Sequence, residues 1–192
     1  NGELNGLTDH IPELKLMLVA RAIRWKRYES LITQDNTFHR SVYVEDLQSE
    51  QADYLLKHSG VVEPLALPSE IALPSAPDLQ LPSAYCAVIH SGSKEEVHAL
   101  VLYAERRLAL QERDLPIVLI SPEKHQLMAM QNKITQVCCY PALALLLKSK
   151  IVVSAAGFNT LHELKNAPVE HWVVPFERRF DDQFLRAEKY RA

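Results

Sequence analysis

KIVVSAAGFNTLHELKNAPVEHWVVPFERRFDDQFLR, residues 150–186, is the stretch whose reading decides the fold. An apolar run, Ile151 to Val153, passes into small residues around Gly157, and a short helical pattern follows. A second apolar run ends at Pro175 and opens into a polar loop that reaches Gln183. Two strands joined by a helix lie parallel, because the crossover returns the chain to the same end of the sheet. Their exit loops then emerge at one edge, where open α/β sheets bind ligands. A nucleotide or its sugar conjugate is the expected occupant.

The same alternation extends upstream to Tyr85. YCAVIH reads as a buried strand, and PIVLIS, ITQVCCY, IVVSA and HWVVP as four further strands. Between them, residues 94–111 place Val97, Leu100, Val101, Ala104 and Leu108 on one helical stripe. Residues 123–131, the ALALLLKS run after Pro141, and the segment after Gly157 supply further helices. The expected fold class is α/β, a Rossmann-like parallel sheet with helices on both faces, plus a partial N-terminal α/β portion.

Five of the eleven prolines fall between Pro64 and Pro82, with no helical or strand period. Such a run is a linker or crossing loop. The expected division is therefore 1–63, a partial N-terminal portion, 64–84, a proline-rich linker, and 85–192, a ligand-binding domain. Within the first part, Leu14, Leu18, Ala22 and Trp25 predict a helix over 11–25, with Asp9 as its cap. A strand over 28–33, a turn at 34–36, a strand over 41–44 and a helix over 45–58 stopped by Gly60 complete it. The basic cluster from Arg21 to Arg27 reads as a solvated helix face.

A net charge of -3 with 23% charged residues gives no electrostatic footprint for nucleic acid. Cys86, Cys138 and Cys139 match neither a disulfide framework nor a zinc spacing, which suits a reducing, cytoplasmic setting. No apolar run approaches the roughly 20 residues of a spanning helix, and no charged-then-apolar leader opens the chain. A start at Asn1 and a helical pattern still running at RAEKYRA read as part of something longer.

After Gly60 only Gly92 and Gly157 occur, each directly after an apolar strand and before a helix. Glycine there permits positive φ and close approach of backbone to a ligand. The following helix start presents unpaired N–H groups to a phosphate. Ser91 and Ser93 flank the first glycine, and Asn159 or Thr160 can cap the second helix. Glu163 shares a face with them, either as a ribose ligand or as the partner of Thr160 in a capping box. From spacing alone both roles stand.

At these residues the chain resembles the donor-binding C-terminal domain of GT-B glycosyltransferases, in particular the family 28 type that includes the peptidoglycan N-acetylglucosaminyltransferase. SAAGFNTLHEL looks like the family's glycine loop and helix, PFERRFDDQFLRA like its second donor segment, and HSGSKEE like its first glycine-rich loop. The resemblance covers about residues 61–192. It implies that Ser91, Gly92, Ser93, Gly157, Phe158, Asn159 and Thr160 lie against the donor diphosphate. Glu163 would bind the ribose, Asp182 and Gln183 the transferred sugar, and the backbone of Cys139, Tyr140 and Pro141 would face the base. The implied reaction is metal-independent transfer of a sugar, N-acetylglucosamine or a relative, from UDP to an acceptor hydroxyl. The UDP-sugar is a co-substrate and no cofactor is implied. The acceptor is lipid-linked or of another kind, and a lipid-linked one would bring peripheral membrane contact.

In the family the acceptor domain usually supplies the general base and a glycine-rich loop. Nothing in the residues ahead of the linker matches that loop, so the catalytic residue is left unknown. SAAG lacks the extra glycine or basic residue often seen before this glycine, and the first loop has one glycine where members often have two. A nucleotide-sugar hydrolase or epimerase on the same scaffold, or a non-catalytic nucleotide-sugar-binding protein, are the alternative readings. Among the eight histidines, His162-Glu163 is no zinc helix because the partner position is Asn166. His90 next to Ser91 shows neither a neighbouring acid nor a nucleophile elbow. Asp9-His10, the acid-imidazole pair ahead of the linker, reads as an exposed helix start.

Overall fold

A computed structural model describes residues 11, 13–32, 36–68, 79–125 and 134–191. It divides into two compact units, Asn1–Pro68 with Glu177–Asp182, and Ser69–Phe176 with Gln183–Ala192. Each holds one parallel sheet.

The first unit runs β1 (Met17–Ala20), α1 (Trp25–Glu29), β2 (Arg40–Tyr43), α2 (Ser49–His58) and β3 (Val62–Pro64). Its sheet has the order β1-β2-β3, parallel throughout. The expected helix over 11–25 is replaced by β1 and the start of α1. The reason is visible in the burial: Leu16, Leu18 and Ala20 turn inward while Met17 and Val19 are exposed. Even-numbered apolar positions satisfy a period of two as well as a helix stripe, and pairing with β2 decides between them. The expected strand over 28–33 also fails, because Tyr28 belongs to α1. Trp25 is buried and its ring lies 4.9 Å from Tyr54 of α2. Asp9 and His10 lie outside the described residues, as do the expected turn positions 34 and 35.

Residues Glu177–Asp182 complete this unit. Ile23 bridges Asp181, the Arg24 N–H donates to the Phe180 carbonyl at 2.7 Å, and Tyr28 meets Phe180 edge-on. Arg24 forks onto the Glu177 carboxylate, with Nη2 at 2.9 Å from Oε2, and Arg27 approaches at 3.4 Å. The basic cluster thus spends two of its charges on an acidic partner some 150 residues away in sequence. At an exposed position water and salt screen such pairs, so they add little to stability.

The second unit runs β4 (Cys86–Ile89), α3 (Lys94–Leu110), β5 (Ile117–Ser121), β6 (Ile134–Cys138), α4 (Leu143–Leu146), β7 (Ile151–Ala155), α5 (Phe158–Leu164), β8 (Glu170–Val174) and α6 (Gln183–Arg191). All five strands fall where the apolar runs place them. Most of the expected helix over 123–131 lies outside the described residues. Alternation along the strands splits the core in two. Cys86, Val88, Ile117, Leu119, Ile151 and Val153 face α3, through Val97, Leu100, Val101, Ala104 and Leu108. Ala87, Val118, Ile120 and Val152 face Leu143, Leu145 and Leu146 of α4 and Leu164 of α5. A strand buried on both faces has no polar side, which is why these runs are apolar throughout.

Helix α3 ends in a Schellman motif: the Arg113 N–H reaches the Leu108 carbonyl at 3.0 Å and the Glu112 N–H reaches Ala109 at 3.1 Å. Glu112 takes the left-handed position, with φ of 54°, at a cost of about 1 kcal/mol against glycine.

Candidate functional site

The second sheet has the order β6-β5-β4-β7-β8. From β4 the chain crosses outward to β5 and β6, then returns to place β7 on the other side of β4. The crossover direction therefore reverses between β4 and β7, and the loops leaving their C-terminal ends diverge around a crevice. Ile89 is in register with Ser154, so the loop at 90–93 and the loop at 156–157 leave the sheet at neighbouring levels. The two glycine loops singled out in the sequence meet at the topological switch point.

Neither glycine takes the positive φ that is one of its two expected uses, because no described glycine has positive φ. At Gly92 the reason is space. A Cβ there would come within 2.3 Å of His90 Nε2 and 2.5 Å of Glu96 Oε2. Those two atoms are hydrogen-bonded at 2.7 Å, closing an imidazole–carboxylate pair beneath the loop. At Gly157, φ is -72° and an added Cβ would meet nothing within 4 Å. Fold and backbone leave Gly157 free, and open space lies in front of it. Gly92→Ala is expected to destabilise the fold by about 1–3 kcal/mol through overpacking. Gly157→Ala should change it by less than about 1 kcal/mol, measured by urea unfolding. Equal effects would remove the distinction.

Ser91 and Gly92 are exposed, as is Ser93, which caps α3 by accepting from the Glu96 N–H at 3.4 Å. The Glu95 carboxyl is held below its ordinary value by its own backbone N–H and then by the Ser93 hydroxyl. Helix α5 starts at Phe158, two residues earlier than a cap at Asn159 requires and three earlier than a cap at Thr160 requires. Gly157 is its N-cap, with no side-chain bond, and the first ladder bond runs from the Leu161 N–H to the Gly157 carbonyl at 3.1 Å. Thr160 is therefore inside the helix and the capping box with Glu163 does not form. Glu163 stands exposed on α5, its carboxyl raised by desolvation and partly offset by His162.

Gln183 opens α6 and is 4% exposed, its Oε1 accepting from the Phe176 N–H at 3.0 Å. Asp182, one residue earlier, belongs to the first unit, so the two positions expected to act together divide between the units. Cys139, Tyr140 and Pro141 follow β6, at the same C-terminal edge but on the outermost strand. Tyr140 is 90% exposed, and the Cys139 thiol lies 3.5 Å from the Pro141 carbonyl.

Three features escaped the sequence. Glu96 supplies His90 with the acid that adjacency did not reveal, and Phe176 lies against the His90 ring at 5.6 Å. Buried Arg186 donates to the Ala156 carbonyl at 3.1 Å, next to Gly157, and its guanidinium stands 6.0 Å from the Phe158 ring. Its place one turn after Gln183 was the available signal. Finally, the His171 ring bridges the Ser154 hydroxyl at 2.8 Å and the Tyr190 hydroxyl at 3.0 Å, tying β7 to α6.

The structure is similar to that of the glycosyltransferase of kitacinnamycin, with a TM-score of 0.50 over 79% of this chain. The fold is glycosyltransferase-like. Identity to that protein is 19%, and this chain spans 39% of its length. No family model and no curated protein sequence matches the chain. In this glycosyltransferase-like fold the β4 and β7 loops, α5 and the start of α6 line one edge of the second sheet. Among the described residues no helix is long and apolar enough to cross a membrane.

Proposed function

We propose that the second unit binds the donor of a sugar-nucleotide glycosyltransferase. The donor is a UDP-sugar, UDP-N-acetylglucosamine or a relative, and the sugar passes to an acceptor hydroxyl. The observation that carries this reading is the meeting of the 90–93 and 156–157 loops at the switch point between β4 and β7. The glycosyltransferase-like fold supports it.

In this reading the diphosphate lies along Ser91 to Ser93 and Gly157 to Thr160. Fixed loop dipoles there stabilise charge as it develops on the leaving nucleotide. Glu163 binds the ribose, Gln183 the sugar end, and Cys139 to Pro141 face the base. Arg186 positions the second loop through the Ala156 carbonyl.

Calorimetric titration with UDP, UDP-N-acetylglucosamine and ADP tests it. UDP and its sugar conjugate are expected to bind, and ADP more weakly. Glu163→Ala should cost about 1–3 kcal/mol of UDP affinity through lost charged hydrogen bonds. Absence of UDP binding at millimolar concentration refutes the donor site, and an unchanged Glu163→Ala affinity removes the ribose role.

A further inference from the structure

We infer that the sheet of the first unit packs face to face against the same sheet of a second copy of this chain. The inference stands apart from the donor site.

Strand order and chain direction leave one face of that sheet bare. The order β1-β2-β3 steps twice the same way across the sheet, through parallel connections. Right-handed crossovers then place both connecting helices, α1 and α2, on the same face. That face carries Leu18 and Ala20, which border Trp25, Tyr54 and Leu55 around one cavity. Side chains alternate along a strand, so Met17 and Val19 point the other way. Their register partners on this second face are Arg40 and Val42 of β2, and Val42 lies in turn opposite Glu63 of β3. The ladder continues past both ends of β3, from the Ser41 N–H to the Val61 carbonyl and from the Leu65 N–H to the Tyr43 carbonyl, each at 2.8 Å. Val61 and Leu65 therefore join the same face.

Among the described residues of the first unit, no helix covers this face. Met17 is 63% exposed and Val19 55%, and Val61 and Leu65 are exposed beside them. Parallel sheets occur almost only with both faces covered, so an aliphatic patch on one calls for a partner surface.

The charges on the face select that partner. Arg40 Nη2 lies 2.6 Å from Glu63 Oε1, with both side chains partly in solvent. One charge of each sign, on neighbouring strands, makes a surface complementary to itself. A two-fold axis between them sets Arg40 of each copy against Glu63 of the other. A guanidinium has five N–H donors and a carboxylate two oxygens, so the internal pair extends into a cluster of four charges without being broken. The exposed aliphatic side chains of β1 and β3 close around that cluster. A strongly acidic or strongly basic partner would instead leave one of the two ions facing a like charge. Three strands of three or four residues make a small face, so the dimer belongs to the weak, transient class.

Sedimentation velocity across about 5–500 μM, a range that resolves weak association, tests the inference. The wild type is expected to pass from monomer to dimer as its concentration rises. Met17→Glu combined with Val19→Glu should stay monomeric throughout, with an unchanged circular dichroism spectrum. Arg40→Glu and Glu63→Arg should each weaken dimerisation by about tenfold or more, because each sets like charges against one another across the axis. An equal mixture of those two variants should dimerise again, since one copy then carries two acids and its partner two bases. The inference is overturned if the wild type is monomeric at every concentration, if the variants associate as it does, or if the mixture associates no better than its components. Should the Met17 and Val19 variant fail to fold, the two charge reversals and their mixture decide.

Discussion

Acidification from pH 7 to 4.5 is expected to remove most of about 3 kcal/mol of folding stability through His171. Both ring nitrogens are engaged, by the Ser154 and Tyr190 hydroxyls, and burial holds the ring down from its ordinary value of 6.5 to about 4. Between those values the unfolded chain binds a proton that the folded chain refuses. Stability is therefore complete above pH 6.5 and falls as the pH drops toward 4, by about 1.4 kcal/mol for each unit of separation. The carboxyls of Glu95, Glu170 and Glu177, all held below their ordinary value of 4.5, act mainly beneath this window. Urea unfolding at pH 7, 5.5 and 4.5 measures the loss, and His171→Gln should flatten it. A wild type equally stable at pH 7 and 4.5 would mean that His171 takes its proton without cost. Because Tyr190 lies in the last turn of the α6 helix that begins at Gln183, the same acidification should loosen the sugar end of the proposed site.

Trp172→Ala is expected to cost about 3–5 kcal/mol, measured by urea unfolding at pH 7. The indole is buried in the α3-side core among Val153, Leu100 and Ala104. The Arg107 guanidinium stands 4.5 Å over it and the Tyr103 ring meets it edge-on. Its Nε1–H donates to Glu170 at 2.8 Å, and Glu170 is bound in turn to Arg113 at 2.5 Å. Trp172→Phe keeps a ring under the guanidinium and loses chiefly the Nε1 bond, so it should cost about 1–2 kcal/mol. A loss below 1 kcal/mol for the alanine variant would show that β8 is held by its hydrogen bonds to β7 rather than by this packing.

The expectations divide by the range over which each residue's state is set. The α3 stripe emerged complete because helical period and capping at Ser93 are properties of one short segment. The three inner strands of the second sheet, β4, β5 and β7, emerged because burial on both faces demands an apolar run wherever the partner strands lie. The run from Leu14 to Trp25 misled because its apolar positions fit two periods. A parallel partner more than 20 residues away chose between them. Glycine was read as a conformational device at positions 92 and 157, whereas one glycine makes room for a side-chain pair and the other faces open space.

For the candidate site, the residues from Tyr85 to Arg186 determined by themselves that the two glycine loops, at 90–93 and 156–157, leave parallel strands at one sheet edge. Hydrophobic runs and loop lengths suffice for that, since handed crossovers leave few arrangements. Only the tertiary structure decided that the loops flank the β4/β7 reversal, that His90 has Glu96, and that Asp182 and Gln183 belong to different units. It also brought Arg186 to the Ala156 carbonyl and His171 between Ser154 and Tyr190. The physical reason is common to these cases. Strand order and side-chain pairing depend on which distant surfaces bury each other, and no local period records that choice.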